Sequence, residues 1–341
     1  MTRYVIVGAG AVGVSLAVEL GDRGHEILLV ARGATLDHLA RQPLSYHSQA
    51  GHREVRLPVA ALTDDLGLRV GDIVVFAVKS QDLPAVAPAI AWRDVTDAHG
   101  RIRGLAADLV PVVTAQNGLD AERTAARWFD TVLGAVFLIS AQHVRTGEVR
   151  VGGHPYVGGV IAGIANAASP AAGEQPLQTF TTDLQAANFR AEAVTDIRAY
   201  KAAKILLSVN NGIAIFAGDR TLKDAVSAAL TAEAKTVLAA AGITHHNTTD
   251  LTLDPAQENF TERSGVIPGR SSTWQSFARG TSANEVDYLN GEIALLARLH
   301  HVPAPLNARL QQLLGRATHS GGGIDLPGLG ALAALLPANH T

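Results

Sequence analysis

Tyr4-Val5-Ile6-Val7-Gly8-Ala9-Gly10-Ala11-Val12-Gly13 stands at the start of the chain. Four apolar, β-favouring residues run into the pattern G-x-G-x-x-G, and an alanine- and leucine-rich helical stretch over residues 12–20 follows. Strand, glycine turn and helix in that order form the context in which the pattern carries meaning. Gly8 permits the tight turn, Gly10 leaves room for a pyrophosphate against the backbone, and Gly13 lets helix and strand pack closely. The first N–H groups of the helix, at Ala11 and Val12, then face the phosphates with the positive end of the helix dipole. The same six residues also fit a glycine-rich turn without a ligand.

Outward from this stretch, short apolar runs alternate with helical ones. Strand candidates are 4–7, 26–30, 73–77, 109–115 and 132–136. The rhythm predicts an α/β fold: an N-terminal Rossmann-type doubly wound sheet with helices on both faces. Residues 44–48 and 54–57, with Gly51 between them, read as a hairpin. Residues 144–151 and 156–161 read as antiparallel strands added to the sheet, and 164–175, rich in Ala, Gly, Ser and Pro, as a surface loop. After about Thr195 a 3.6-residue period dominates, over 197–216, 222–241, 285–301 and 306–314. The expected domains are therefore 1–194, a dinucleotide-binding domain, and 195–341, an all-α domain carrying substrate and catalysis.

Three positions follow strand ends, where open α/β sheets bind ligands. The second strand ends in Val30-Ala31-Arg32, where NAD enzymes place an acid for the ribose 2′-hydroxyl. A guanidinium suits a 2′-phosphate instead, so Arg32 points to NADPH over NADH; it also fits a solvated residue at a strand end. Lys79-Ser80-Gln81 and Gln116-Asn117-Gly118 follow the next two strands. Lys79, Gln81 and Asn117 are placed to meet the cofactor or the substrate, although Asn-Gly is also a common turn.

In the second half, 204–216 is too apolar for a surface helix. Lys204, Ser208 and Asn211 fall at i, i+4 and i+7, on one stripe, which also fits a polar stripe that simply faces water. A buried ammonium needs a partner or a purpose, and a lysine so placed can hand a proton to a carbonyl oxygen. Glu285 is the candidate carboxylate, but Ser282-Ala283-Asn284-Glu285 also fits a capping box. Ser272, in Ser271-Ser272-Thr273-Trp274-Gln275, offers a hydroxyl at a helix start, suited to a carboxylate or simply to an N-cap.

Composition narrows the classes. The chain has 341 residues, 47% hydrophobic and 17% charged, a net charge of −3 and no cysteine. That balance gives no electrostatic reason to expect nucleic acid or an anionic membrane. Disulfides and thiolate chemistry are excluded, and a reducing cytoplasm is the expected location. No apolar run reaches a membrane span, and the first residues enter a strand at once, unlike a secretory signal. The adjacent pairs His245-His246 and His300-His301 do not make a ligand pattern, so no metal site is expected.

Residues 8–13, Val30-Ala31-Arg32, Val78-Lys79-Ser80-Gln81, Gln116-Asn117-Gly118-Leu119, the helix around Lys204, the 271–275 motif and Glu285-Val286-Asp287-Tyr288-Leu289-Asn290-Gly291 occur in that order. Together they resemble the ketopantoate (2-dehydropantoate) reductase family over nearly the whole chain. The resemblance implies a Rossmann domain, a helical domain, an active site in the cleft between, and NADPH-dependent reduction of a 2-oxo acid to a 2-hydroxy acid. By that likeness Lys204 gives the proton to the ketone oxygen, and Glu285 orients the lysine or binds the substrate hydroxyl. Asn117 lies between nicotinamide and substrate, Ser272 holds the substrate carboxylate, and Arg32 and Lys79 meet the cofactor's 2′-phosphate and ribose.

There are departures from the family pattern. Ser208 stands where the family usually has Asn, the asparagine follows at Asn211, the loop 281–284 is longer by one residue, and 92–107 looks like an insertion. Ser208 and Asn211 are expected at the substrate, and a homodimer is left open. Two other functions fit less well: a β-hydroxyacid or opine-type dehydrogenase, and a non-catalytic NADP-binding sensor.

Overall fold

The computed structural model describes residues 1–143, 145–251, 262–280, 284–321 and 323–336. The chain forms two compact units, Met1–Gln116 with Asp120–Arg198 and Leu251–Val266, and Asn117–Leu119 with Ala199–Asp250 and Ile267–Thr341.

The first unit is built on an eight-stranded sheet. Its strands are β1 (Arg3–Val7), β2 (Glu26–Ala31), β5 (Val59–Ala61), β6 (Ile73–Phe76), β9 (Val112–Thr114), β10 (Val132–Ile139), β13 (Gly158–Asn166) and β14 (Phe189–Val194). They lie in the order β14-β13-β10-β9-β6-β1-β2-β5. All pairs are parallel except β10 with β13. The order reverses at β1, between β2 and β6, the switch point at which such sheets bind dinucleotides. Residues of β1 show why it sits centrally: Tyr4 and Ile6 enter one apolar cluster, with Val14, Leu16 and Phe180, while Val5 and Val7 enter another, with Leu83 and Ile90. A strand apolar on both faces needs cover on both. The cover comes from α1 (Ala11–Asp22), α2 (Gly33–Arg41), α3 (Leu83–Ala91), α4 (Ala106–Leu109), α5 (Ala121–Ala125) and α6 (Pro170–Ala186).

Several expectations need correction. The hairpin is present as β3 (Leu44–Ser48) and β4 (Gly51–Val55), but it belongs to a separate four-stranded sheet. There β12 (Glu148–Val151) pairs parallel with β3, and β11 (Ala141–Gln142) antiparallel with β12, so residues 148–151 do not extend the main sheet. Val144 lies outside the described residues. The candidate strand 109–115 shortens to β9, because its first residue ends the helical turn α4. The inserted residues 92–107 include a small hairpin, β7 (Asp94–Thr96) with β8 (Ile102–Leu105). The expected loop 164–175 holds the end of a strand and the start of a helix. β13 runs to Asn166, the Ser169 hydroxyl accepts from Ala172 N–H, and Pro170 starts α6. Serine at the cap and proline at the first position are helix-start chemistry, though their composition reads as a loop.

The second unit is helical: α7 (Ile197–Ser208), which enters it from the first, then α8 (Arg220–Ala240), α9 (Ser272–Ala278), α10 (Asn290–Leu299), α11 (Pro305–His319) and α12 (Leu329–Ala333). Its core gathers Ile205, Leu206, Val209, Leu230, Val237, Ile293, Leu310 and Leu314. The helix expected over 197–216 stops at Ser208. A turn follows, then a 3₁₀ segment, Ile213–Ile215. Gly212 packs so tightly on α11 that a Cβ there would lie 2.4 Å from Leu314 Cδ1. The helix expected from Glu285 likewise begins later: a 3₁₀ turn, Val286–Tyr288, precedes α10. Among the described residues, no helix is long and apolar enough to cross a membrane.

Candidate active-site elements in the two units

In the first unit, the loops after β1, β2, β6 and β9 meet at one edge. Gly8 N–H donates to Val30 O at 2.9 Å, Ala77 N–H to Val7 O at 2.8 Å, and Ala115 N–H to Phe76 O at 3.0 Å. The buried Gln116 amide donates to the Phe76 and Val78 carbonyls at 2.9 and 2.8 Å, which pins the backbone just before Lys79.

The three glycines differ in what demands them. Gly8 has φ of +120°, and a Cβ on it would lie 2.6 Å from Ala77 C. A Cβ on Gly13 would lie 2.0 Å from Gly8 O. Gly10 has φ of −85° and open space all round. Among the described residues, therefore, nothing crowds a Cβ at residue 10. Gly10 stands at the N-cap of α1 and gives no side-chain hydrogen bond to its first turn, which begins with Ala11 and Val12. This cradle suits a pyrophosphate.

Arg32, just past β2, is 78% exposed and donates to Asp82 Oδ2 at 2.8 Å. Asp82 ends a 3₁₀ turn, Ser80–Asp82, directly after Lys79. Gln81 Oε1 in that turn is buried and has no hydrogen-bond partner among the described residues. An acceptor left so suits a ligand hydroxyl or amide.

In the second unit, Lys204 lies on α7 between the buried residues Ala203 and Ile205. It keeps some accessible surface, yet its ammonium has enough protein around it that burial lowers its pKa. Burial is the cause of that shift. Ser208, one turn on, is buried. Asn211 is not on the helical stripe expected of it; it lies in the turn beyond, its N–H bonded to Ser208 O at 3.0 Å.

The Ser271 hydroxyl donates to Asn211 O at 2.8 Å and accepts from Trp274 N–H at 3.1 Å. Ser271 thus caps α9 and ties it to the turn after the lysine helix. Ser272, the residue singled out from the sequence, is the exposed first residue of α9.

Glu285 heads the 3₁₀ turn without capping it by its side chain; Asn284 Oδ1 accepts from Val286 N–H instead. The capping-box alternative for Glu285 pairs it with Ser282, which lies outside the described residues. The segment Asn117–Leu119 groups with this unit. Gly118, at φ of +94°, sits so close to Tyr288 that a Cβ would lie 2.6 Å from its carbonyl oxygen. Asn117 is thereby held next to the turn that Glu285 begins. The structure brings together Ser208, Asn211 and Ser271 at one end of α7, and Asn117 with the Glu285 turn. Sequence reasoning assigned no part to Gln116, Asp82 or Asn290, whose partners lie 38 to 81 residues away.

A family model described as ketopantoate reductase PanE/ApbA matches residues 4–158, and one described as its C-terminal part matches residues 199–317. The chain belongs to the ketopantoate reductase family. It is thus an oxidoreductase of the kind that reduces 2-oxo acids. A 2-dehydropantoate 2-reductase of Archaeoglobus fulgidus is 26% identical over 329 residues, covering 94% of this chain and 98% of the relative. A PanE/ApbA family ketopantoate reductase from Ralstonia eutropha JMP134 superposes with a TM-score of 0.72 at 23% identity, over 94% of this chain and 99% of that one. D-Mandelate dehydrogenase, solved with NADH and anilino(oxo)acetate, gives 0.74 at 16% identity over 94% and 99%. Both structures share the fold of this chain.

Proposed function

We propose that this ketopantoate reductase family member reduces a small 2-oxo acid, ketopantoate or a close relative, to the 2-hydroxy acid with NADPH. The observation that carries the proposal is Lys204: an ammonium on an apolar helix, desolvated, with no ion-pair or hydrogen-bond partner among the described residues. Such a group costs stability and is retained where it serves chemistry.

When bound, the reduced nicotinamide supplies a hydride to the ketone carbon. The remaining roles belong to the chain. The first N–H groups of α1, over the loop of Gly8, Gly10, Ala11, Val12 and Gly13, hold the pyrophosphate. Arg32 pairs with the 2′-phosphate, and Lys79 and Gln81 meet the adjoining ribose. Asn117 orients the nicotinamide and substrate. Ser272, with Ser208 and Asn211, receives the polar groups of the oxo acid. Lys204 Nζ gives its proton to the ketone oxygen, so the carbonyl π bond becomes one C–H and one O–H bond. Glu285 orients the lysine or binds the substrate hydroxyl.

The test is consumption of NADPH by the purified chain across a panel of 2-oxo acids that includes ketopantoate and phenylglyoxylate, with a hydroxy-acid panel and NADP⁺ in the reverse direction. Turnover highest on ketopantoate supports the proposal. Preference for the aryl acid moves the substrate toward a mandelate type. Cofactor binding with no turnover on any acid leaves a sensor. The same protein run on a sizing column reports whether the chain forms a homodimer, as a ketopantoate reductase from Staphylococcus aureus does.

A further inference from the structure

Resting on the reading of Arg32 as the 2′-phosphate ligand, we infer that Asp82 is a specificity-determining residue that restrains the preference for NADPH and lets the chain accept NADH. Arg32 stands at the end of β2, where the adenosine ribose is read in this fold. Its guanidinium is engaged, through the 2.8 Å bond to Asp82 Oδ2. The two residues are 50 positions apart and meet because β2 and β6 flank β1 on the same sheet edge.

The Asp82 carboxylate makes no side-chain hydrogen bond to α3, which follows it; it faces the arginine instead. The pair is open to a ligand, since the side chains are 78% and 24% exposed. An exposed ion pair contributes little to stability, so a ligand can rearrange it at small cost.

The two cofactors meet this pair differently. A 2′-phosphate gains the guanidinium but comes up against the carboxylate on the same fork, a like-charge contact. A 2′-hydroxyl has no such conflict. It can donate to Asp82, which then does what an acid at the end of the second strand does in NAD enzymes. One site thus holds a cation for the phosphate and an anion for the hydroxyl.

The experiment compares the unmodified chain with Asp82→Asn, Asp82→Ala and Arg32→Ala. Calorimetry gives the affinity for 2′,5′-ADP and for 5′-AMP, and steady-state kinetics gives kcat/KM for NADPH and NADH. Both Asp82 variants are expected to raise the 2′,5′-ADP over 5′-AMP affinity ratio, and the NADPH over NADH ratio of kcat/KM, by about tenfold, the size of one charged hydrogen bond or like-charge contact. Arg32→Ala should lower both ratios. An unchanged or lower 2′,5′-ADP ratio in both Asp82 variants, with Arg32→Ala still losing the phosphate, overturns the inference alone and makes Asp82 a bystander or a support for Arg32. No binding of either nucleotide by the unmodified chain overturns the dinucleotide reading and this inference with it. Two variants guard against a folding defect in one of them.

Discussion

The Asn290 side-chain amide donates to the Val209 carbonyl at 2.9 Å, joining the first residue of α10 to the turn that ends the lysine helix. The same amide donates to Asn307 Oδ1 at 2.9 Å. Asn307 in turn donates to Leu230 O at 3.2 Å and Glu233 Oε1 at 2.9 Å. Glu233 receives the first N–H groups of α11 as well. Asn290 and Asn307 are buried, so these bonds form in a low dielectric, where a missing partner is expensive. Asn290→Ala leaves two acceptors without this donor and should cost about 2–4 kcal/mol in urea unfolding. Asn290→Asp should cost more, because it sets an acceptor against Asn307 Oδ1. A loss under about 0.5 kcal/mol, the range of ordinary surface changes, would remove the network from the account.

Ser271 and Ser272 are adjacent yet should respond differently. Ser271→Ala loses an N-cap, worth about 1 kcal/mol, and with it the bond to Asn211 O. Ser272→Ala removes an exposed hydroxyl and should leave stability within about 0.5 kcal/mol. If Ser272 holds the substrate carboxylate, its variant raises KM for the oxo acid with the melting temperature unchanged. An unaltered KM would transfer that role away from Ser272.

The glycines give a second contrast. Gly13→Ala drives a methyl to 2.0 Å from Gly8 O and should destabilise the first unit by about 1–3 kcal/mol or more. Gly10→Ala meets open space at an ordinary φ, so the fold should stand while dinucleotide affinity falls. Thermal melts paired with NADPH fluorescence titration separate the two effects. A Gly10→Ala protein that binds as tightly as the parent would argue against a pyrophosphate at this loop.

Lys204 makes stability depend on pH with a definite sign. Burial holds its pKa in the folded chain below the ordinary lysine value of 10.5. Between that depressed value and 10.5 the unfolded chain binds more protons than the folded one, so stability rises with pH across this window. Below the window the cost of the buried ammonium is constant. Lys204→Met should therefore be more stable than the parent near neutral pH, and its advantage should shrink as pH climbs through the window. The same depressed pKa moves the alkaline loss of turnover below 10.5, because a general acid must carry its proton. A difference between the two proteins that stays flat with pH would mean the ammonium is not desolvated.

Much of this is legible in the sequence, and the rest follows a physical pattern. The strands β1, β2 and β6 announce themselves because burial on both faces makes them apolar throughout. The glycine loop is legible because its partner is the adjacent helix. The helix α6 is hidden because Ser169 and Pro170, as cap and first residue, look like loop residues. The end of α7 is hidden for a different reason. Residues 209–216 stay apolar, and the break comes from distant contacts, Gly212 against Leu314 and Asn290 on Val209. Asn211 is misplaced on the helical stripe for the same cause. Asp82 and Gln116 carry no local signal, since their meaning arises only when sheet order brings β2, β6 and β9 to one edge.

The central claim, that the desolvated Lys204 ammonium is the proton donor, is tested most directly by steady-state reduction of the preferred 2-oxo acid by Lys204→Ala, with NADPH affinity measured alongside. The account predicts that kcat falls by roughly 10²–10⁴, that cofactor affinity is kept, and that a small added amine restores part of the rate. Turnover within a few-fold of the parent, at equal cofactor affinity, would contradict it.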